Sequence, residues 1–229
     1  MILIKKLLLC RNHNAPMPDK FFPVLTQEIK LILESADKLN DDRKQLLDEA
    51  ARLLAELYRS EQKIVLNFIC THNSRRSQLS ESWAYAAAGY FGLHKIHSVS
   101  GGTEATAFNE RAVQALQKNG FQIIKTTESS NPVYAVQAGP AMSVHEQYSK
   151  KYESSLGKGE KFVAIMTCDH ADQNCPFIPE ALARISMNFV DPGKSDGTAQ
   201  EAAIYLERSR EIAANIFYMF AGLKKLVGV

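Results

Sequence analysis

The chain has 229 residues, of which 45% are apolar, and its formal net charge is +2. This size suits one domain with an elaboration better than two independent domains, and the apolar content is enough for a full core. The near-neutral charge argues against nucleic acid or an acidic membrane as the main partner, because such partners need a concentrated basic face. No apolar run approaches the roughly 20 residues that span a bilayer, and the apolar start lacks a cleavage site, so we expect a cytoplasmic protein.

The four cysteines are Cys10, Cys70, Cys168 and Cys175. They are too sparse to form the disulfide scaffold of a small secreted protein. In a reducing compartment, cysteines at this density are more often catalytic, redox-active or simply buried.

Two helical patterns fill residues 24–60, within an N-terminal extension that we assign to residues 1–62. Apolar residues recur at helical spacing from Leu25 to Leu39 and again from Leu46 to Leu57. Asn40 lies between the two patterns and is typical of a turn and a helix N-cap. The sequence therefore predicts an antiparallel helical hairpin, whose apolar stripe packs on the main domain or on a second subunit of a homodimer.

Strand and helix patterns alternate through residues 63–229, which we assign to the main domain. Such alternation predicts a parallel sheet with right-handed crossovers. Residues 126–160 are polar and rich in turn formers, so they predict an insertion with little regular structure. The predicted strands are 64–69, 96–99, 162–166 and 185–189, and the predicted helices are 76–90, 108–119 and a long closing helix that begins with a capping box of Thr198 and Glu201.

A loop with several chemically active side chains follows the first strand and reads Cys70-Thr71-His72-Asn73-Ser74-Arg75-Arg76-Ser77. The backbone N–H groups of such a tight loop, together with the N-terminus of the next helix, make a concave anion site. A cysteine at the base of the loop lies in the same positive field, which favours its thiolate form. Arg76 can bind two oxyanion oxygens through its planar fork, and Ser77 can donate a hydrogen bond to the sulfur. The bare spacing leaves open the alternative of a buried, inert Cys70 beside a solvated helix start.

Four segments resemble the low-molecular-weight tyrosine phosphatases and, more closely, their relatives the thioredoxin-coupled arsenate reductases. In the order typical of the family, they are Val65–Glu81, Ser100–Glu104, Asn109–Leu116 and Met166–Lys194. The resemblance implies an α/β fold, a four-stranded parallel sheet with helices on both faces. It also implies that Cys70 is the nucleophile and that the loop from Thr71 to Arg76 binds the anion. Asp191 matches the general acid, a role that suits a carboxylic acid because an unprotonated oxygen is a poor leaving group.

A second pair of cysteines, Cys168 and Cys175, flanks His170 after the third predicted strand. Two structural thiols, a metal site with His170 and a thiol relay are the alternatives, although zinc sites usually show tighter spacing and a fourth ligand. The arsenate reductases carry this pair, so the resemblance favours the relay, in which Cys168 attacks the adduct on Cys70 and Cys175 resolves Cys168. Seven residues of intact helix would place the Cα atoms of Cys168 and Cys175 about 10 Å apart, whereas a disulfide needs them within about 7 Å. The segment must therefore be a loop, or must unwind when the disulfide forms.

Three positions depart from these relatives. Arg75 stands where the arsenate reductases usually have a further cysteine, and His72 stands at a usual glycine. No aromatic residue follows Asp191 to grip a phosphotyrosine ring, which favours a small anion as substrate. The residues that bind potassium in some arsenate reductases are matched by Asn73, Glu81 and Ser100, but the aspartate that completes that site has no clear counterpart. We expect no other metal and no tightly bound cofactor.

These features predict arsenate reduction first, with a thioredoxin-like protein as the external reductant. The alternative is phosphomonoester hydrolysis by a protein tyrosine phosphatase, whose phosphocysteine intermediate is hydrolysed by water. A third interpretation is a non-catalytic phosphoanion-binding protein with the hairpin as its docking element. The presence of both a nucleophile and an acid disfavours it.

Overall fold

The structure is a computed structural model that describes residues 20–174 and 178–229. Cys10 and Cys175 lie outside the described residues. Within those two ranges, no helix combines the length and the apolar character needed to cross a membrane.

The N-terminal hairpin consists of helices α1 (Pro23–Ala36) and α2 (Asp41–Ser60). Asn40 caps α2 as predicted, because its side chain accepts a hydrogen bond of 2.8 Å from the backbone N–H of Arg43. The prediction that the apolar stripe packs on the main domain is confirmed. The hairpin residues in the common core include Leu25, Ile29, Ile32, Leu47 and Leu54.

The described residues of the main domain form seven strands and four α-helices. In chain order the strands are β1 (Ile64–Cys70), β2 (Ile96–Gly102), β3 (Gln122–Lys125), β4 (Tyr134–Gln137), β5 (His145–Gln147), β6 (Phe162–Met166) and β7 (Ala181–Ser186). The helices are α3 (Arg76–Phe91), α4 (Glu110–Lys118), α5 (Asp169–Asn174) and α6 (Glu201–Val227).

The central sheet has the order β2-β1-β6-β7, and each neighbouring pair is parallel, which confirms the predicted sheet. Every residue of β1 is buried, as expected for a central strand that is covered on both faces. Alternate side chains of β1 enter two cores: Leu66 and Phe68 join the large core, whereas Val65 and Ile69 join a smaller one that includes Ala171 of α5.

Two predicted boundaries are wrong. Strand β7 spans Ala181–Ser186 instead of the predicted 185–189. The apolar residues Met187 and Phe189 suggest a later strand, but they are buried in the segment that follows β7. The capping box at the start of α6 does not form. The hydroxyl of Thr198 donates to the carbonyl of Ser195 (2.7 Å), so it is engaged in the preceding turn and Gln200 occupies the N-cap position.

The 126–160 segment has more regular structure than predicted. Strands β4 and β5 lie within it and form a small antiparallel sheet with β3, in the order β3-β4-β5. After β5 the chain runs beside the end of β2, where the backbone N–H of Gly102 donates to the carbonyl of Lys150 (2.8 Å). The insertion therefore reaches the edge of the central sheet at the end of the strand beside Cys70.

Candidate active site

Cys70 is the last residue of β1, at the carboxyl edge of the parallel sheet where ligands of α/β proteins usually bind. The residues that follow, 71–75, form a loop that leads into α3, and Cys70 is only 4% exposed. Ser77 Oγ lies 3.1 Å from Cys70 Sγ. Because the side-chain amide of Asn73 donates to the same hydroxyl (2.9 Å), the hydrogen of Ser77 is free to point at the sulfur. The hydroxyl of Ser77 can therefore donate a hydrogen bond to Cys70 Sγ.

Asn73 is fully buried at the centre of the loop and has a φ of 46°, a left-handed conformation that asparagine tolerates. Its side-chain N–H group also donates to Ser100 Oγ (2.8 Å). Its oxygen accepts from Gln78 Nε2 (3.1 Å) and from the backbone N–H of Lys150 (2.9 Å). The side chain of Asn73 therefore holds the loop in shape through bonds to α3, β2 and the insertion.

The backbone of the loop packs directly against Gly102 at the end of β2. A Cβ atom at Gly102 would lie 2.7 Å from the backbone N of Asn73 and 2.7 Å from the carbonyl oxygen of Thr71. Contacts this close are essentially never made by a real side chain, so glycine is required here for the approach of the two backbones.

The insertion supplies further support that the sequence did not reveal. Ser149 Oγ donates to the carbonyl of His72 (2.8 Å), and Gln78 Nε2 donates to the carbonyl of Tyr148 (2.9 Å). These bonds join the backbone of the insertion to the loop and to the first turns of α3. The polar run around Tyr148 carries no local pattern that predicts this contact.

Glu81 is buried beneath the loop and accepts a hydrogen bond of 2.6 Å from Ser100 Oγ. Burial raises the pKa of Glu81, against the opposing effects of Lys150 and of the hydrogen bonds from Ser100 and Gln147. Asn73, Ser100 and Glu81, the residues matched to a potassium site, are thus close together, but they form hydrogen bonds with one another. The positive charge that acts on Glu81 is that of Lys150. Among the described residues, no group of three or more His, Cys, Asp or Glu side chains is arranged to hold a metal. The potassium site stays a prediction, and the mechanism proposed below does not use it.

Arg76 and Asp191 face each other across the mouth of the loop. Arg76 donates from Nη2 to Asp191 Oδ2 (2.7 Å) and from Nη1 to the carbonyl of Phe189 (3.0 Å). Its Nε atom is buried and makes no hydrogen bond to any described residue. Asp191 Oδ1 accepts from the backbone N–H of Gly193 (2.9 Å), which fixes the carboxylate at the start of the short 3-10 helix Pro192–Ser195.

These side chains line one small pocket at the carboxyl edge of the sheet, with a cavity volume of about 10 Å³. The imidazole of His72 is about half exposed at its rim, with Nε2 3.6 Å from Glu104 Oε2. The residues around the pocket are Cys70, His72, Ser74, Arg75, Arg76 and Asp191.

The N-terminal hairpin supports the segment that carries Asp191. The guanidinium of Arg43, on α2, lies 5.0 Å from the ring centre of Phe189, and its Nη2 donates to the carbonyl of Asn188 (3.4 Å). Phe189 in turn accepts the hydrogen bond from Arg76. The hairpin sequence carries no feature that predicts this contact, because Arg43 and Asn188 are distant along the chain.

Cys168 lies against the loop that follows β1 and contains Thr71. The residue is 1% exposed, and its sulfur accepts a hydrogen bond from the backbone N–H of Ala171 (3.4 Å) and lies 3.5 Å from Thr71 Oγ1. The same hydroxyl lies 3.3 Å from His170 Nδ1. Thr71, the residue next to Cys70, therefore contacts both the second cysteine and the histidine.

The segment between the two cysteines is helical over α5, and Asp172 fastens it to β7. The carboxylate of Asp172 accepts hydrogen bonds from Ser186 Oγ (2.8 Å) and Asn188 Nδ2 (2.9 Å), and it pairs with Arg184. Since α5 is helical up to Asn174, bringing Cys168 and Cys175 together requires the helix to unwind.

Comparisons with known proteins agree with this geometry. Residues 65–135 match the family model of the low molecular weight phosphotyrosine protein phosphatases. The arsenate reductase of Bacillus subtilis is 30% identical over 157 residues, which is 69% of this chain and 94% of that protein. The arsenate reductase of Halalkalibacterium halodurans is 28% identical over 149 residues, or 65% of this chain and 88% of that protein.

Two solved structures are also similar. A low molecular weight protein tyrosine phosphatase from T. tengcongensis has a TM-score of 0.45 and 15% identity, covering 68% of this chain and 97% of its own. A structure described as an arsenate reductase in the phosphate binding state has a TM-score of 0.42 and 19% identity, covering 72% of this chain and 98% of its own. On its sequence relatives, the chain belongs to the low molecular weight phosphotyrosine protein phosphatase family, near the arsenate reductases.

Proposed function

We propose that this protein is an arsenate reductase whose first nucleophile is Cys70. The observation that carries the proposal is the contact of Cys168 with Thr71, which brings a second thiol to the loop that holds the first one. Reduction needs two further thiols after the first attack, whereas ester hydrolysis needs only water. The names of the Bacillus subtilis and Halalkalibacterium halodurans relatives support the same activity.

The first step uses the pocket formed by Cys70, Arg76 and Asp191. The thiolate of Cys70 attacks arsenic, and one oxygen of arsenate leaves as water after it has taken the proton of Asp191. Arg76 and the amides of the loop from Thr71 to Arg76 hold the remaining oxygens. An incoming anion competes with Asp191 for the guanidinium of Arg76.

The second step is the thiol relay. The thiolate of Cys168 attacks the sulfur of Cys70, and the electron pair of the sulfur–arsenic bond stays on arsenic, which leaves as arsenite. Cys175 then attacks Cys168 and releases Cys70. The resulting disulfide is reduced by an external dithiol protein of the thioredoxin type, which supplies the two electrons that arsenate consumed.

A second candidate function is hydrolysis of phosphomonoesters, including phosphotyrosine in proteins. The family match over residues 65–135 supports it, and Cys70, Arg76 and Asp191 would act in the same way on phosphorus. Water would then hydrolyse the phosphocysteine. The small pocket and the glycine after Pro192 disfavour a bulky ring.

The remaining assignments stay predictions. They are the division into an extension (1–62) and a catalytic domain (63–229) with an insertion at 126–160, a cytoplasmic location and a homodimer formed through the hairpin. The hairpin's buried face already packs on the main domain, so a dimer would use the opposite face, where Val24 and Leu31 are exposed.

A paired assay on purified protein tests the proposal. One arm follows arsenate reduction with thioredoxin and its reductase, and the other follows hydrolysis of p-nitrophenyl phosphate. Wild type, Cys70→Ser and Cys168→Ser are compared in both arms. We expect both variants to abolish arsenate turnover and only Cys70→Ser to abolish ester hydrolysis.

Arsenate reduction that survives in Cys168→Ser would overturn the relay. Ester hydrolysis by the wild type without any arsenate turnover would replace the proposal with the phosphatase function. An equal loss of both activities in Cys168→Ser would indicate that Cys168 supports the fold, which a comparison of thermal unfolding would reveal.

A further inference from the structure

A second arginine, Arg75, lies beside Arg76 at the pocket, and its guanidinium is fixed by α6. Arg75 Nε donates to the hydroxyl of Tyr205 (2.8 Å), and Arg75 Nη2 donates to Asp196 Oδ2 (3.2 Å). The hydroxyl of Tyr205 donates in turn to Asp196 Oδ1 (2.8 Å). Each of the three side chains therefore bonds to the other two, and Tyr205 is 1% exposed.

This triangle is joined to the loop that carries Asp191. Asp196 directly follows the short helix Pro192–Ser195, and Arg75 Nη1 lies 3.9 Å from Asp191 Oδ1. A Cβ atom at Gly193 would lie 2.7 Å from Arg75 Cζ, so the backbone of the loop rests on the face of the guanidinium. The loop is thus held from below by Arg75 and at its far end by Asp196.

The charge states of Arg75 and Tyr205 allow their contact to persist at neutral pH. Burial works against the charge of Arg75, but Tyr205, Asp191 and Asp196 outweigh it, and the pKa of Arg75 is raised. Burial and then the hydrogen bond to Asp196 raise the pKa of Tyr205 to about 12. Tyr205 therefore stays a neutral hydroxyl that can donate and accept at neutral pH, and Arg75 stays a cation.

We propose that Arg75, Tyr205 and Asp196 form a latch that positions the loop of Asp191 over the pocket, so that the proton of Asp191 reaches the leaving oxygen. Two of the donor nitrogens of Arg75 are engaged by Tyr205 and Asp196, and the third faces Asp191. Arg75 is therefore a positioning residue, and Arg76 is the anion ligand. The inference rests on the proposed role of Asp191 as general acid.

Leaving-group dependence separates this role from anion binding. A general acid matters most when the leaving oxygen is strongly basic, as in phenyl phosphate, and least when it is weakly basic, as in p-nitrophenyl phosphate. Both esters require the same attack by Cys70 and the same anion site. A loosened acid loop should slow the first substrate selectively, whereas a damaged anion site should weaken the binding of both.

The test compares wild type, Tyr205→Phe and Arg75→Lys with both esters, and measures competitive inhibition by inorganic phosphate. Tyr205→Phe keeps the buried ring and removes only the shared hydroxyl. Arg75→Lys keeps the charge and loses the planar fork. For both variants we expect kcat on phenyl phosphate to fall about tenfold and kcat on p-nitrophenyl phosphate to fall less than about twofold, with KM and phosphate inhibition unchanged.

Tyr218→Phe is the matched control. Tyr218 lies on the same helix, and burial together with Asp48 raises its pKa to about 12, but its hydroxyl faces α2 instead of the pocket. This variant should leave the ratio of the two kcat values unchanged. Thermal unfolding of all variants shows whether each one is folded.

The outcomes are distinguishable. A wild type that cleaves neither ester faster than Cys70→Ser overturns the latch, because Asp191 then protonates no leaving oxygen of an ester; the arsenate assay alone decides the reductase proposal. A wild type that cleaves both, with Tyr205→Phe and Arg75→Lys losing the same factor on each ester, overturns the latch alone. Weaker inhibition by phosphate in Arg75→Lys would make Arg75 an anion ligand instead.

Discussion

The anion loop (residues 70–77) and the thiol segment (residues 168–175) carry the two halves of the proposed chemistry, yet they are built in opposite ways. The anion loop is held by buried hydrogen bonds from α3, β2 and the insertion, with Asn73 at its centre. The described part of the thiol segment is a six-residue helix with an exposed His170, held to the sheet through Asp172. The anion loop is fixed on all sides, whereas the thiol segment is held by Asp172, by the contacts of Cys168 and His170 with Thr71, and by the buried Ala171.

This difference follows from what each element has to do. An anion site stabilises charge best when its donors are already oriented, so any movement of the loop weakens it. A thiol relay has to carry a sulfur from one partner to the next, so its segment must open at low cost. Local unfolding of a short helix with few buried contacts meets that need.

Removing the central side chain of the anion loop should have the largest effect. Asn73→Ala loses four buried hydrogen bonds, and we expect the free energy of unfolding to fall by about 3 kcal/mol and kcat/KM by at least about 100-fold. Asn73→Gly accepts the φ of 46° without strain, so its loss of stability should be about 1 kcal/mol smaller. Urea denaturation and steady-state kinetics measure both. Equal losses in the two variants would show that the left-handed backbone carries no cost.

Neutralising the acid should separate turnover from binding. Asp191→Asn removes the proton donor, so we expect kcat to fall about 100-fold. It also frees Arg76 from its ion pair, so inorganic phosphate should bind about fivefold more tightly. Glu104→Gln is the control, because it removes a carboxylate near His72 without touching Arg76. Unchanged or weaker phosphate binding in Asp191→Asn, measured by calorimetry, would contradict the proposed competition.

Releasing the thiol segment should affect only the relay. Asp172→Ala removes the bonds to Ser186, Asn188 and Arg184, so we expect the Cys168–Cys175 disulfide to form about tenfold faster with oxidised glutathione. Ester cleavage should change less than about twofold. Mass spectrometry of the disulfide peptides measures the rate. Asp169→Ala, exposed on the same helix, is the comparison, and an equal acceleration there would rule out a specific role of Asp172 in holding the segment.

The smallest predicted effect concerns Glu81, which is buried beneath the anion loop. Burial raises the pKa of Glu81 above its ordinary value of 4.5, so the native state holds this proton more tightly than the unfolded chain. This residue's contribution to stability therefore falls as the pH rises from 4.5 through the native pKa. Glu81→Gln has no such titration. The stability of the variant relative to wild type should increase over that pH range, and a constant difference in urea denaturation would exclude this effect.

Much of the fold could be predicted because its signals are local. The buried run of β1, the helical spacing in α1 and α2 and the loop from Cys70 to Ser77 each depend on neighbours within a few residues. The pocket that contains Cys70, Arg76 and Asp191 also agrees with the expected order of strands, since carboxyl ends of parallel strands lie at one edge.

The supporting contacts could not be predicted, because they join distant parts of the chain. Arg75 and Tyr205 are 130 positions apart, and Arg43 and Asn188 are 145 apart. Arginine, tyrosine and asparagine are common on protein surfaces, so their presence in the sequence does not indicate that they contact one another in the fold. The insertion shows the same limit, because the polar run around Ser149 resembles any exposed loop, and only the fold reveals that it bonds to His72.

The close approach at Gly102 limits how the anion loop can be transplanted. A protein engineer who copied residues 70–77 into another strand-to-helix junction would copy the nucleophile and the arginine without the surface that shapes them. The neighbouring strand must end in a residue without a side chain, and a further segment must supply donors such as the N–H of Lys150. The smallest portable unit is therefore three segments that are separated in sequence. We therefore expect the eight residues 70–77 to lose the anion site when they are placed at a junction without these two supports.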